Sequence, residues 1–323
     1  MPPAVPADPY PVTRRERTRW IRSRRPAPAP RSRPDPVPGI LQEQEPDGAG
    51  GHEEVWTVFL ANRECPWTCL MCDLWRQAPA VPPGPGGVAL QVQQALARAG
   101  RGPSGPAAAT LKLYNAGSFF DDGAIPAAER EVIGDLIRAG AWRRVVVENH
   151  PRLTDDRVGR WARGLGASRL EVAMGLETAH PATLARLNKG ITLDDFRRAA
   201  RVLGQAGLDL RVFVLVRPPF QVESEALEWA CRSVDLAFEC GARVVSLLPT
   251  RPGNGALEEL ARQGVFAPPQ PGTVDAVLRH GLSRRRGLVL VDTWDLERGL
   301  APGSETGHWR TRWEQANLEQ RLP

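Results

Sequence analysis

VWTVFLANRECPWTCLMCDLW, residues 55–75, begins with a mostly apolar run rich in β-branched and aromatic residues and then breaks into a loop that carries Cys65, Cys69 and Cys72. Such a run suits a strand buried on both faces. Three cysteines within eight residues, directly after a strand, are placed for ligation rather than for packing. The chain has five cysteines, an odd number that argues against a disulfide framework and for thiolate or metal chemistry.

The same strand pattern recurs outward from this stretch. TLKLYNA (110–116), RRVVVEN (143–149), RLEVAMGL (169–176), LDLRVFVLV (208–216), ARVVSLLP (242–249) and GLVLVD (287–292) all read as strands, separated by helical stretches. In 192–207, Thr192 caps, Asp194 and Asp195 suit the first turn, Phe196, Ala199, Ala200 and Leu203 recur at helical spacing, and Gly207 ends the helix. In 223–240 the stripe Leu227, Ala230, Cys231, Val234 and Phe238 makes Cys231 a packing residue and Cys240 a helix-end residue. Strands alternating with helices predict an α/β fold, a partial or near-complete TIM-like (βα) barrel of parallel strands over residues 51–300. Its active site is expected on the loops at the C-terminal ends of the strands. At 323 residues and 42% hydrophobic content, the chain is large enough for one such core. Residues 301–323 read as a C-terminal tail with helical character.

Residues 1–50 are rich in Pro and Arg, poor in apolar side chains, and expected to be a disordered arm. Within it, TRRERTRWIRSRR (13–25) has the makings of a short basic helix with Trp20 and Ile21 on one side, suited to an anionic partner or to the body. The net charge of +5 is uneven: nine Arg precede residue 34 against Asp8 and Glu16, which leaves the remainder slightly acidic. Bulk charge therefore does not mark the body as a nucleic-acid binder. No apolar run approaches the roughly 18–20 residues that span a bilayer, and the N-terminus lacks the apolar core of a secretory signal, so a cytoplasmic protein without membrane contact is expected.

Arginine dominates the cations. Only Lys112 and Lys189 are lysine, and each is a candidate for a site that needs a compact ammonium. Asn is scarce and clustered: Asn62, Asn115 and Asn149 end predicted strands, Asn188 and Asn254 follow the fourth and sixth, and Asn317 stands apart. Turn chemistry is one explanation and a shared rim is the other.

The cysteines stand at C-x3-C-x2-C spacing. Three thiolates on one tight loop suit a [4Fe-4S] cubane whose fourth iron has no protein ligand. The alternative is zinc, which prefers four closed ligands; no second half-site exists, and His52 and His150 lack the spacing.

With the segments YNAGSFFD (114–121), VVVENHPRL (145–153), EVAMGLET (171–178), LARLNKGITLDDFRRA (184–199), LVRPPF (215–220) and 250–255, in that order, the chain resembles the radical S-adenosylmethionine (SAM) superfamily, and within it the archaeosine synthase radical SAM subunit and elongator-type proteins. The resemblance implies a cluster on Cys65, Cys69 and Cys72, SAM on its open iron, reductive cleavage to a 5′-deoxyadenosyl radical, and hydrogen abstraction from a substrate. It implies Met71 in SAM contact where the family usually has an aromatic residue, Asn115, Gly117 and Ser118 around the SAM amino group, Glu177 at its ribose, and Arg217 at its carboxylate. The carboxylate that the family often carries at the third position of the second-strand motif is absent.

Glu148, Lys189 and Asp292 end or follow predicted strands and are candidates for binding substrate or relaying a proton, with mutual pairing as the alternative. The implied partners are an external electron donor and tRNA or an RNA-binding protein. A small-molecule substrate is the second reading, and a zinc-holding, non-catalytic nucleic-acid or partner-binding protein the third.

Overall fold

The computed structural model describes residues 10–26, 39–100, 109–140 and 142–323. The elements run α1 (Arg14–Arg24), β1 (Gly39–Pro46), β2 (His52–Leu60), α2 (Gly87–Arg98), β3 (Thr110–Asn115), α3 (Ala127–Ala139), β4 (Arg144–Glu148), α4 (Asp156–Arg163) and β5 (Arg169–Glu177). They continue with α5 (Pro181–Arg186), α6 (Leu193–Gln205), β6 (Asp209–Val216), α7 (Glu223–Glu239), β7 (Ala242–Pro249), α8 (Ala256–Arg262), α9 (Pro271–Arg284), β8 (Leu288–Val291), α10 (Leu296–Gly299) and α11 (Thr306–Glu319). One eight-stranded sheet holds β1 to β8 in chain order. The seven strands expected from sequence are β2 to β8, and all their pairings are parallel.

Alternation along each strand sorts the side chains. Leu111, Leu113, Val145, Val147, Val172, Met174, Val212, Val214, Val245 and Leu247 face outward into one core shared with the helices. That core follows the helix stripes read from sequence: Phe196, Ala199, Ala200 and Leu203 of α6 are all buried, and Cys231 and Cys240 pack against it half-buried.

Two departures come from the ends of the chain. Residues 39–46, expected in the arm, form β1, antiparallel to β2 from Gly39↔Phe59 to Pro46↔His52. A polar strand such as LQEQEP is held there because Glu45 reaches oppositely charged residues on other strands. Residues 14–24, also expected in the arm, form α1, whose Ile21 is buried against the body. The remaining arm residues, 1–9 and 27–38, lie outside the described residues. At the other end α11 lies against both β1 and β8. Its Asn317 and Gln320 amides each take an N–H and give to a C=O on the free edge of β8, at Val291 and Val289, over 2.8 to 3.0 Å. These side chains do for β8 what a neighbouring strand would do.

The floor of the barrel is ionic. Glu171 of β5 is 0% exposed. It bonds Arg211 of β6 at 2.6 Å and Arg243 of β7 at 2.8 Å, with Arg144 of β4 at 3.4 Å. Glu45 of β1 binds Arg211 at 2.8 Å and Lys112 of β3 at 2.5 Å. Glu53 of β2 binds Arg143, and Asp209 of β6 binds Arg144. Seven of the eight strands contribute. Burial by itself would raise the Glu45 carboxyl, but Arg211 and Lys112 hold it well below the usual range. Lys112, one of the two lysines singled out by rarity, serves here and not at the mouth.

Removing Glu171 would leave three guanidinium groups sharing a buried floor with one acid fewer. Glu171→Ala is expected to cost about 3–5 kcal/mol, read from urea unfolding, and a loss below about 1 kcal/mol would show that the floor is not what holds the strands.

Candidate functional site

The cysteine loop crosses the opposite end of the barrel, where the strands' C-termini gather. Each end of the loop is tied down. The Cys65 N–H donates to Ala116 O just past β3 at 3.2 Å, and the Leu70 N–H donates to Leu187 O after α5 at 2.8 Å. Asn188 Nδ2 donates to Thr68 O at 3.0 Å, and Asn254 Nδ2 donates to Leu70 O at 2.5 Å. Asn254 Oδ1 also receives the N–H groups of Ala256 and Leu257 at the start of α8, both at 3.0 Å. Asn188 and Asn254 are therefore fasteners of the loop, as Asn149 is of the turn after β4 through Thr154 and Phe120.

Trp67 adds a fastening that the sequence reading did not find. Its ring stacks on His150, with centroids 3.8 Å and planes 14° apart. His150 Nδ1 accepts from the Arg152 N–H at 3.2 Å, which leaves Nε2–H to donate to Lys189 O at 3.1 Å. Burial and the nearby Lys189 push the imidazole down to about 3, so it stays neutral. One side chain thus links the cysteine loop, β4 and the segment after α5.

Burial raises all three thiols, Cys72 up to about 12. Lys189 opposes this at each of them. Its ammonium meets Glu177 Oε1 at 2.6 Å; burial pulls Lys189 down, but Glu177 together with Cys69 and Cys65 more than offsets it and leaves the lysine above its ordinary value. The three thiolates need a strong cation, which an iron–sulfur cluster supplies more fully than one lysine. Among the described residues, no three His, Cys, Asp or Glu are gathered closely enough for a single metal ion. Three ligands that each take a different iron of a cubane have no need to be.

Backbone strain is concentrated at this end. Thr68, Glu177, Asn188, Arg217 and Phe220 all adopt positive φ, between 38° and 71°. None is glycine, and held strain of this kind clusters at functional sites. At Glu177 it coincides with a register shift between β5 and β6 spanning Gly175 and Glu177, a bulge that re-aims the carboxylate toward Lys189.

The expected site residues separate into groups. Glu148, Glu177 and Lys189 do come together, and burial is the main cause that pushes Glu148 up to about 7, partly offset by the Asn115 N–H that donates to its Oε2 at 3.3 Å. Asn115 also ends β3, and both its amide atoms, like those of Asn62 just past β2, are buried and without a partner among the described residues. Two such orphaned amides next to the cysteines are donors and acceptors waiting for a polar ligand. Gly117 lies against the Cys65 backbone, while Ser118 Oγ is occupied in accepting the His150 N–H at 3.1 Å. Met71 packs half-buried into a second core with Leu70, Leu187, Leu215, Leu257 and Phe266. Arg217 is already engaged, with Glu223 at 2.6 Å and Pro268 O at 2.9 Å. Asp292 pairs with Arg251 at 3.1 Å and caps the Trp294 N–H at 3.0 Å, the mutual-pairing alternative.

The fold and the loop are similar to those of the radical SAM class: a parallel barrel with C-x3-C-x2-C after its first parallel strand. Elp3 of Methanocaldococcus infernus with N-terminal residues 1–46 deleted superimposes with a TM-score of 0.52 at 15% identity, over 82% of this chain and 64% of that one. Methylornithine synthase gives 0.51 at 16% identity, over 78% and 73%. Within the class, the chain is similar in sequence to archaeosine synthase subunit beta of Methanosarcina acetivorans, 26% identical over 250 residues, 75% of this chain and 71% of the relative. It is 30% identical over 169 residues to the subunit of that name from Thermococcus kodakarensis, about half of each chain. No family model matches the chain. Among the described residues, no helix is long and apolar enough to cross a membrane.

A carboxyl raised in the folded state stabilises fully below its unfolded value and loses that contribution as pH rises through its folded one. In metal-free protein, the thermal midpoint of the wild type should therefore fall relative to that of Glu148→Gln as pH rises from the ordinary carboxyl value to about 7, and level off above it; parallel curves would place Glu148 in water.

Proposed function

We propose that this protein is a radical SAM enzyme that abstracts hydrogen from a substrate held above the cysteine loop. The observation that carries the reading is the convergence of three half-buried thiols with two buried amides, Asn62 and Asn115, that have no partner among the described residues, at the C-terminal mouth of a parallel barrel. The resident group would be a [4Fe-4S] cluster on Cys65, Cys69 and Cys72. When bound together with SAM, it would supply the one-electron reduction that cleaves the sulfonium and starts hydrogen abstraction.

The chain's own residues bind and orient. Asn115 offers a donor and an acceptor to the amino-acid end of SAM, and Asn62 does so from the neighbouring strand. Glu177, turned inward by its bulge and held by Lys189 at 2.6 Å, accepts from ribose hydroxyls. Arg217 reaches a SAM carboxylate only by exchanging Glu223 for it, whereas Met71 presents an apolar surface to the adenosyl group. Glu148 is the proton-holding group of the site. Near neutral pH it is poised between acid and base, as a general acid–base residue needs to be. Lys189→Arg tests whether a compact ammonium is required beside Glu177, since a planar fork cannot replace it in the same space.

The relatives' name, archaeosine synthase, points to a modified nucleobase in tRNA as the substrate class, and the word subunit in it points to a partner chain. The electron enters from an external donor, and the site is assigned to the cytoplasm. In domain terms, residues 51–300 form the catalytic barrel, to which β1 and α1 contribute from the arm, and 301–323 supply α11 as its closing helix.

Anaerobic reconstitution should yield a brown protein with about four iron and four sulfide per chain, reduced several-fold in Cys69→Ala. With dithionite and SAM, 5′-deoxyadenosine should form in the wild type and not in Cys69→Ala. Colourless protein that takes up zinc, or product equal in both, would overturn the reading.

A further inference from the structure

Helix α1 lies across the barrel mouth. Arg17 donates to Ala185 O at 2.6 Å, Thr18 Oγ1 accepts from Asn188 at 3.1 Å, and Arg25 meets Glu64 of the cysteine loop at 2.8 Å. Tyr10 packs edge-on to Trp20 and against Phe220, with centroids 5.2 and 5.1 Å away, and Ile21 is buried. One face of α1 is thus committed to the body.

The other face is not. Arg15, Arg19 and Arg22 follow i, i+4, i+7 spacing and share one exposed stripe about 10 Å long at 1.5 Å per residue. Among the described residues none of the three has an ion pair, in contrast to exposed arginines elsewhere such as Arg197, Arg232 and Arg262, which pair with acids one turn away. The single acid of α1, Glu16, is turned back into a capping box with Thr13 at 2.7 Å. Glu16 feels Arg19 but pairs with Thr13, so one acid stands against three arginines, and a local field of this kind selects a polyanion.

An aromatic platform stands on the same rim. Trp294 follows β8 and is 66% exposed, the most open tryptophan among the exposed large side chains. It is joined to α1 through one loop: Arg251 Nη1 donates to Trp294 O at 3.3 Å, Arg298 donates to Pro252 O at 2.6 Å, and Gly255, three residues on, lies directly against Arg24 O. Left-handed φ at Gly255, 83°, and the lack of a Cβ let the α1 C-terminus sit there.

We infer that Arg15, Arg19 and Arg22, together with the Trp294 indole, form a docking strip for a nucleic-acid strand carrying an unpaired base, with guanidinium groups on the phosphates and the indole under a base. The strip rests on the reading of the barrel mouth as the substrate entrance. It places backbone binding in this chain itself, on the arm, rather than wholly in a partner. Exposed Trp and charge without sequence-reading contacts are what strand binding requires.

The test uses full-length holoprotein and fluorescein-labelled unfractionated tRNA, titrated by anisotropy from 50 to 300 mM salt, with phosphatidylglycerol vesicles and single-stranded DNA as separate arms. R15Q/R19Q/R22Q should bind tRNA at least tenfold more weakly at low salt and reduce the log–log salt slope by about two to three. Trp294→Ala should weaken binding several-fold with the slope unchanged. R15K/R19K/R22K should retain most of the affinity, and its melting curve should overlay that of the glutamine variant, which separates charge from folding. Binding to either nucleic acid with these losses supports the strip. Equal tRNA binding by the wild type and the glutamine variant, no binding at all, or preference for vesicles overturns it. Substrate-free 5′-deoxyadenosine formation by the wild type is read separately: its absence defeats the radical reading and leaves the docking result standing.

Discussion

A carboxylate with no solvent contact, Glu171, sits between guanidinium groups from three different strands, and much of the barrel follows from that arrangement. A charge so deeply buried is tolerable only when its partners are held at hydrogen-bond distance, so β4, β6 and β7 have fixed places around β5. Glu45 extends the constraint to β1 and β3 through Arg211 and Lys112. The network is directional where apolar packing is not. It specifies which strands face each other across the interior, and it fills the floor with paired side chains.

That asymmetry explains the chemistry of the upper end. With the floor neutralised internally, the remaining buried groups, Glu148, Glu177, Lys189 and the thiols, interact mainly with one another and with whatever binds there. The same residues are held in costly conformations. Positive φ at five non-glycine positions and a bulge before Glu177 are sustained because neighbouring bonds, such as those from Asn188 and Asn254, leave the backbone no alternative. Rigidity in the scaffold is thereby converted into placement of a few polar atoms.

The N-terminal arm changes meaning in this context. As an isolated peptide it is too polar to fold, and a tail with nine arginines reads as solvated. Tyr10, Trp20 and Ile21 nevertheless find an apolar seat made by Leu187, Leu257 and Phe266, which lie about 160 to 250 residues away in the chain. Once seated, α1 turns its unpaired arginines outward at the mouth, and a compositional bias becomes a surface with an orientation.

Local signals carried the rest of the fold. Seven parallel strands, the α6 and α7 stripes, the cap at Thr192 and the spacing of Cys65, Cys69 and Cys72 are all written within windows of a few residues, because side-chain periodicity and loop ligation depend on near neighbours in sequence. The antiparallel β1, the ionic floor, the stacking of Trp67 on His150, the engagement of Arg217 by Glu223 and the closing of β8 by Asn317 and Gln320 left no such trace. Lys112 illustrates the difference: rarity singled it out correctly, yet its role was fixed by Glu45, 67 residues away, and not by anything beside it. Charge pairing and edge capping act through space between distant segments. The sequence alone therefore determined the barrel and the spacing of the cysteine loop, while only the tertiary structure decided which polar groups are spent on holding the barrel and which remain at its mouth.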